Sequence, residues 1–227
     1  MKMAKPIVSA KLIDVSHVVE HDMITYKGLP APYICDFLSR EDSRSHYTDG
    51  VEFNIGKITM VANTGTYLDS PFHRYPDGID LSELSLSSLA NLDTVVIRAS
   101  HLNQRAHDRS LLSGLDLSGK AVLLHTGWDT HWRTEKYFVG NPYLTKDAAE
   151  FLRDAGATLV GIDSLNIDNT EDSSRPVHSI LLRAGIPIVE HLCNLQALPD
   201  AGSKFFAVPV KVKNFGTFPV RAFVLCE

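Results

Sequence analysis

Two segments constrain the fold of this chain more than any other. Residues 145–163 and 176–190 each read as a short helix running directly into a buried apolar strand. In the first, Thr145 stands where a helix cap belongs, Asp147 supplies an acid to the first turn, and Gly156 lies just past the end at Asp154. In the second, Pro176 opens a helix that Gly185 stops. A helix feeding a buried strand is the pattern of α/β packing, in which helices cover a largely parallel sheet.

The remaining β-type runs are 11–19, 53–62, 94–98, 121–125, 206–213 and 220–225. Those at the two ends of the chain belong to no helix–strand unit, so an antiparallel or barrel-like portion is expected beside the parallel one. With 227 residues and no internal repeat or linker, one domain over 1–227 is expected, a mixed sheet with flanking helices. The polar stretch 169–175 (NTEDSSR) reads as a surface loop able to cover a nearby site.

Lys and Arg number 22 against 27 Asp and Glu, a net charge of −5 with no basic run, which argues against nucleic acid as a partner. The apolar stretches are too short to span a bilayer, and MKMAKPIVSA lacks the apolar core of a signal peptide, so a cytoplasmic protein without membrane contact is expected. Cys35, Cys193 and Cys226 are odd in number and form no C-x-x-C, which suggests buried small hydrophobes rather than a disulfide framework.

Several motifs carry less than they first promise. GLDLSGK at 114–120 has the spacing of a phosphate loop, yet Ala121 stands where Ser or Thr would hold magnesium, and a strand follows where a helix must open. No G-x-S-x-G and no H-E-x-x-H occurs. The cluster HTGWDTHWR, with His125, Trp128, His131 and Trp132, reads first as a cap on the core and second as a wall for substrate stacking.

NTGTYLDSPFH, residues 63–73, differs in concentrating titratable groups directly after a strand. Gly65 permits a left-handed backbone, and Tyr67 and Asp69, two apart, point to the same side of an extended chain. Asp69 and His73 suit a metal ligand and a proton-transfer base, although local chemistry alone favours a capped turn in which Asp69 accepts backbone hydrogen bonds. A distant pair adds weight: His178 lies in the second helix, and Glu190 ends the apolar run IPIVE, where a buried carboxylate needs a cation or hydrogen-bond donors.

These residues resemble the metal-dependent cyclase family that includes bacterial kynurenine formamidase and isatin hydrolase, whose signature H-x-G-T-H-x-D-x-P-x-H stands here as N-T-G-T-Y-L-D-S-P-F-H. IDVSHVVEHDMITYKG, GIDSLNID and LLRAGIPIVEHLCNL extend the resemblance over most of the chain. It implies a swivelling β/β/α fold, a site for zinc or manganese, hydrolysis of an aryl formamide or cyclic amide, and a homo-oligomer, dimer or tetramer. By the same resemblance Asp69, His178 and Glu190 are metal ligands and His73 is the proton shuttle. Asn63 and Tyr67 occupy positions where the family supplies two imidazoles, leaving them to contact substrate, with Tyr67 a second candidate for catalysis. An amide oxygen is a weak ligand, and a phenol must first lose a proton of pKa ~10.

Three functions follow as expectations. The first is a small-molecule hydrolase with one divalent metal. The second is a metal-independent cyclase, lyase or isomerase working through Tyr67 and His73. The third is a catalytically silent small-molecule binding protein.

Overall fold

The computed structural model describes residues 10–226. Nine strands form one sheet, in the spatial order Lys11–Asp14, Phe223–Cys226, Ala201–Phe206, Leu92–Arg98, Ala121–His125, Leu159–Ile162, Ile188–Glu190, Tyr67–Asp69 and Thr217–Pro219. The run from Leu92–Arg98 to Ile188–Glu190 is parallel, and every pairing outside it is antiparallel. The parallel centre holds both helix–strand units, with helices at Lys146–Asp154 and Pro176–Arg183. The antiparallel flanks come from the two ends of the chain, as the segment pattern implies, except for Tyr67–Asp69, a strand the pattern did not include.

The sheet curls because the chain crosses from one edge to the other in a few residues. Thr217–Pro219 is an edge strand, and residues 220–222 carry the chain directly to Phe223–Cys226 beside the opposite edge. Val220 N–H donates to Thr66 O at 2.9 Å, Val15 N–H to Ala222 O at 3.0 Å and Cys193 N–H to Val15 O at 3.0 Å, closing the gap between the two ends. Strand alternation then sorts the core into two clusters. Leu68, Leu123, Leu159, Val189 and Val224 point into the concave side. Val122, Leu124, Val160, Ile162 and Ile188 point outward under Leu152, Val177 and Leu181 of the two helices.

Three expectations change. The strand expected over 206–213 is instead Ala201–Phe206; beyond it Pro209 lacks the N–H that a ladder requires, and residues 207–212 form no strand. The segment at 53–62 yields Ile55–Thr59, which pairs only with Tyr33–Leu38 in a separate two-stranded hairpin. All its residues are exposed, so no core imposes a clean alternation on them. The three cysteines are partly exposed rather than buried. The 114–120 segment is a turn before the Ala121–His125 strand.

Candidate metal centre and active site

The register of three antiparallel strands assembles the site. Asp69 lies opposite both Ile188 and Thr217, and Tyr67 lies opposite Glu190. Residues directly opposite in such a ladder share a face. Because Ile188 faces the helical layer, Tyr67, Asp69 and Glu190 face it too. The Pro176–Arg183 helix packs there and brings His178 over the carboxylates.

His178 Nε2 lies 3.7 Å from Asp69 Oδ2 and 3.6 Å from Glu190 Oε1, and one ligand atom from each residue falls within 4.8 Å of the others. All three side chains are buried. Asp69 Oδ2 has no hydrogen-bond partner, an expensive condition for a buried carboxylate oxygen unless a cation faces it. One imidazole nitrogen and two carboxylates around an orphaned lone pair fit a single divalent ion with room for further ligands.

The hydrogen bonds around these atoms assign the tautomers. His178 Nδ1 donates to Asp168 Oδ2 at 2.6 Å, leaving Nε2 for the centre. Asp168 also accepts from the backbone N–H groups of Val177 and His178 at 2.7 and 3.0 Å, so one carboxylate caps the helix and orients its histidine. Thr217 donates its hydroxyl to Asp69 Oδ1 and is therefore the acceptor for His73 Nδ1–H at 2.8 Å. That fixes the His73 proton on Nδ1 and leaves Nε2 bare, on a ring about one third exposed. Gly216 makes this approach possible, since a Cβ there would lie 2.5 Å from His73 N and Cα.

The charges are strongly coupled. Burial opposes a proton on His178, but Glu190, Asp168 and Asp69 outweigh it and push its pKa up to about 10. Burial, with help from Asp69, pushes Glu190 up to about 7, while His178 pulls the other way. For Asp69, the burial that would raise its pKa is overcome by His73 and His178, which hold it below the usual carboxylate range. Without a metal, a proton on His178 Nε2 is the positive charge that the three carboxylates gather around.

The other half of the cavity is built differently. Tyr67 donates its hydroxyl to Glu190 Oε2 at 2.6 Å, and burial together with Glu190 and Asp69 raises the phenol well above 10. It stays protonated and offers no phenolate. Asn63 lines the same cavity of about 420 Å³, along with Tyr26, His73 and Asn166. Behind Tyr67, His191 accepts or donates at 2.8 Å to Tyr137, and Trp132 stacks on His17 with ring centroids 4.0 Å apart. Trp128 donates its indole N–H to Tyr137 O at 3.0 Å. Neither tryptophan lines the cavity, which favours the core-cap reading of HTGWDTHWR.

The structure thus brings Asn63, Tyr67, Asp69, His73, His178 and Glu190 into one cavity. Sequence reasoning missed Asp168 and Thr217. Asp168 closes the quoted run GIDSLNID and could have been suspected, whereas nothing around Thr217 signals its place beside His73.

Comparison with known proteins gives concordant results. The Cyclase family model ("Putative cyclase") matches residues 13–169. A kynurenine formamidase of Bacillus anthracis is 29% identical over 218 residues, covering 95% of this chain and 98% of that protein. Isatin hydrolase A from Ralstonia solanacearum superposes with a TM-score of 0.81 at 20% identity, over 100% of both chains. A structure from Bacillus stearothermophilus described as a "predicted metal-dependent hydrolase" superposes with a TM-score of 0.76 at 25% identity, over 96% of this chain and 100% of that one.

Proposed function

The chain belongs to the cyclase family, and from that premise we propose that it is an arylformamidase-like hydrolase, cleaving an aryl formamide or cyclic amide with one divalent metal, zinc or manganese. The observation that carries this reading is the orphaned, buried Asp69 Oδ2 facing His178 Nε2 and Glu190 Oε1. Asp69, His178 and Glu190 would hold the ion, which supplies Lewis acidity to polarise the carbonyl and to acidify water.

The protein's own groups do the rest. His73 Nε2 is the bare nitrogen of a ring lining the cavity, so it accepts the proton of the attacking water. Thr217 and Asp69 hold that ring in its tautomer and steady the imidazolium that forms. His73 then returns the proton to the leaving nitrogen. Asn63 and Tyr26 line the cavity and would contact the substrate, while the Tyr67 hydroxyl steadies Glu190.

The metal-independent reading through Tyr67 is the weaker one, because the Tyr67 proton is committed to Glu190 and its pKa is raised. A silent binding protein has no use for the Thr217–His73 tautomer device. The decisive assay follows hydrolysis of formanilide by protein loaded with zinc or manganese. Turnover abolished by chelator and restored by metal supports the proposal; turnover unaffected by excess chelator refutes its metal dependence.

The protein acts as a single domain on a small-molecule substrate in the cytoplasm, as a homo-oligomer. No described helix is long and apolar enough to cross a membrane. The oligomer is supported by the hairpin of Tyr33–Leu38 and Ile55–Thr59, which leaves Tyr33, Phe37 and Ile58 more than half exposed. Light scattering should report a dimer or tetramer, and a monomer at micromolar concentration would refute this part.

A further inference from the structure

The residue that follows Glu190 adopts two unfavourable features at once. His191 leaves the Ile188–Glu190 strand at φ 56, a left-handed backbone uncommon for any residue but glycine. Its side chain is fully buried, and Nε2 has no hydrogen-bond partner. At the other ring nitrogen, Nδ1, it meets the Tyr137 hydroxyl at 2.8 Å. That hydroxyl has no other acceptor among the described residues, so it donates to Nδ1, and the ring's own proton is left on the unpartnered Nε2. Burial, helped by His17, pushes His191 down to about 3, so the ring stays neutral and needs no counter-charge. Strained backbone and unpaired buried polar atoms gather where a fold serves a site.

The turn at His191 changes what Tyr67 meets. Regular alternation would put Leu192 on the same face as Ile188 and Glu190. Leu192 instead joins Val189 in the concave core, its N–H donating to Ile162 O at 3.0 Å. The pleat is therefore inverted at His191, and two consecutive side chains reach one phenol. Glu190 Oε2 accepts the Tyr67 hydroxyl at 2.6 Å, and the His191 ring lies 5.1 Å from the Tyr67 ring, tilted by 54°. Thr66, next to Tyr67, donates its hydroxyl to His191 O. Trp132 closes the far side, its ring centroid 5.6 Å from that of His191 and 5.0 Å from that of Tyr137, and the Trp128 indole N–H holds Tyr137 O. Neither His191 nor Tyr137 lines the cavity, so their route to the site runs through Tyr67 and Glu190.

Resting on the metal-hydrolase reading, we propose that His191 is a positioning residue of the metal centre: tethered by Tyr137, its ring backs the Tyr67 phenol, which in turn aims Glu190 at the ion. The HTGWDTHWR segment then has a part in the site without touching substrate, because Trp128 and Trp132 hold the tether in place.

The test follows both an ion and a proton. Competition of zinc-loaded protein against a fluorescent chelator should show affinity about tenfold weaker in His191→Asn, the low end for residues that orient a ligand. Asn tolerates the left-handed backbone, so this variant removes the ring and leaves the turn. Tyr137→Phe keeps the ring and loses only its tether; it should lose a smaller part of the affinity, and it carries the test if His191→Asn fails to fold. Because His191 acts through Tyr67, the Tyr67→Phe/His191→Asn double variant should bind zinc no more weakly than the weaker single variant. Wild-type affinity in either folded single variant, or losses that add in the double variant, would overturn the inference.

A second readout needs no metal. In chelated protein the buried Tyr67 hydroxyl proton, bonded to Glu190 over 2.6 Å, should give a downfield proton resonance that Tyr67→Phe identifies by its loss. In His191→Asn that resonance should shift or exchange faster with water, and an unchanged resonance would overturn the inference. Protein that takes up neither zinc nor manganese yet shows the shift overturns the metal reading alone. Protein that binds one ion equally well in wild type and His191→Asn, with the resonance unchanged, overturns the positioning role alone.

Discussion

The cavity has two halves that share Glu190 and behave in opposite ways. On one side, Glu190 Oε1 faces His178 Nε2 and the orphaned Asp69 Oδ2, a set of atoms with lone pairs to give. On the other, Glu190 Oε2 accepts a hydrogen bond from the hydroxyl of Tyr67, at the position where the resemblance leads one to expect an imidazole. One half is organised to hold a cation and the other to satisfy a carboxylate by hydrogen bonding. The lesson is that one buried carboxylate can serve both halves, provided each of its oxygens has its own partner.

The comparison breaks most sharply at His73. His73→Ala should lower kcat by about 10²- to 10⁴-fold, the usual worth of a general acid–base group, with metal content unchanged. Loss of metal in that variant would mean that His73 is a ligand instead of a proton carrier. Removing the support of the ligand half comes next. Asp168→Asn should weaken metal affinity about 10- to 100-fold, because the carboxylate that fixes the His178 tautomer is gone. Competition against a fluorescent chelator would measure this, and an unchanged affinity would remove Asp168 from the account.

Protonation sharpens the same contrast. In the metal-free protein His178 is protonated up to about pH 10, so an ion must displace that proton to bind. Affinity should therefore rise by about tenfold per pH unit between 8 and 9, with one proton released per ion, and more steeply below pH 7, where Glu190 must lose a proton as well, measurable by calorimetry in buffers of different ionisation enthalpy. The stability sign is opposite. A histidine whose folded pKa exceeds its unfolded value of 6.5 stabilises fully below pH 6.5, and the contribution is lost as pH rises through about 10. The melting temperature of chelated protein should fall over that interval, and His178→Asn should flatten the decline.

The smallest effect belongs to the other half. Tyr67→Phe leaves Glu190 Oε2 with only the distant Asn166 amide, which should cost about 1–3 kcal/mol of stability in a denaturant titration. Activity should stay within about tenfold of wild type, since a lost hydrogen bond of that kind is worth little more. An inactive but folded Tyr67→Phe protein would instead favour chemistry through the phenol.

How much of this was legible in the sequence depends on how far each interaction reaches along the chain. The helix–strand units were readable because capping and stop residues are local, and Gly65 does adopt φ 65, as its position suggests. Asp69, His73, His178 and Glu190 were reached through the resemblance, supported by the cost of burying Glu190 unpaired. Thr217 was not, because it meets Asp69 across a strand register 148 residues apart. The Tyr67–Asp69 strand is three residues long, too short for any alternation to declare it. The hairpin strand Tyr33–Leu38 was missed for a different reason: it packs on no core that would pattern its sequence.

The most direct test is the metal stoichiometry of protein purified without chelator, measured by elemental mass spectrometry beside Asp69→Ala and Tyr67→His. The account predicts one zinc or manganese per chain in the wild type and none in Asp69→Ala. Restoring an imidazole in Tyr67→His should leave at least one ion bound. Metal-free wild-type protein that cannot take up either ion, or an Asp69→Ala variant that keeps its metal, would contradict it.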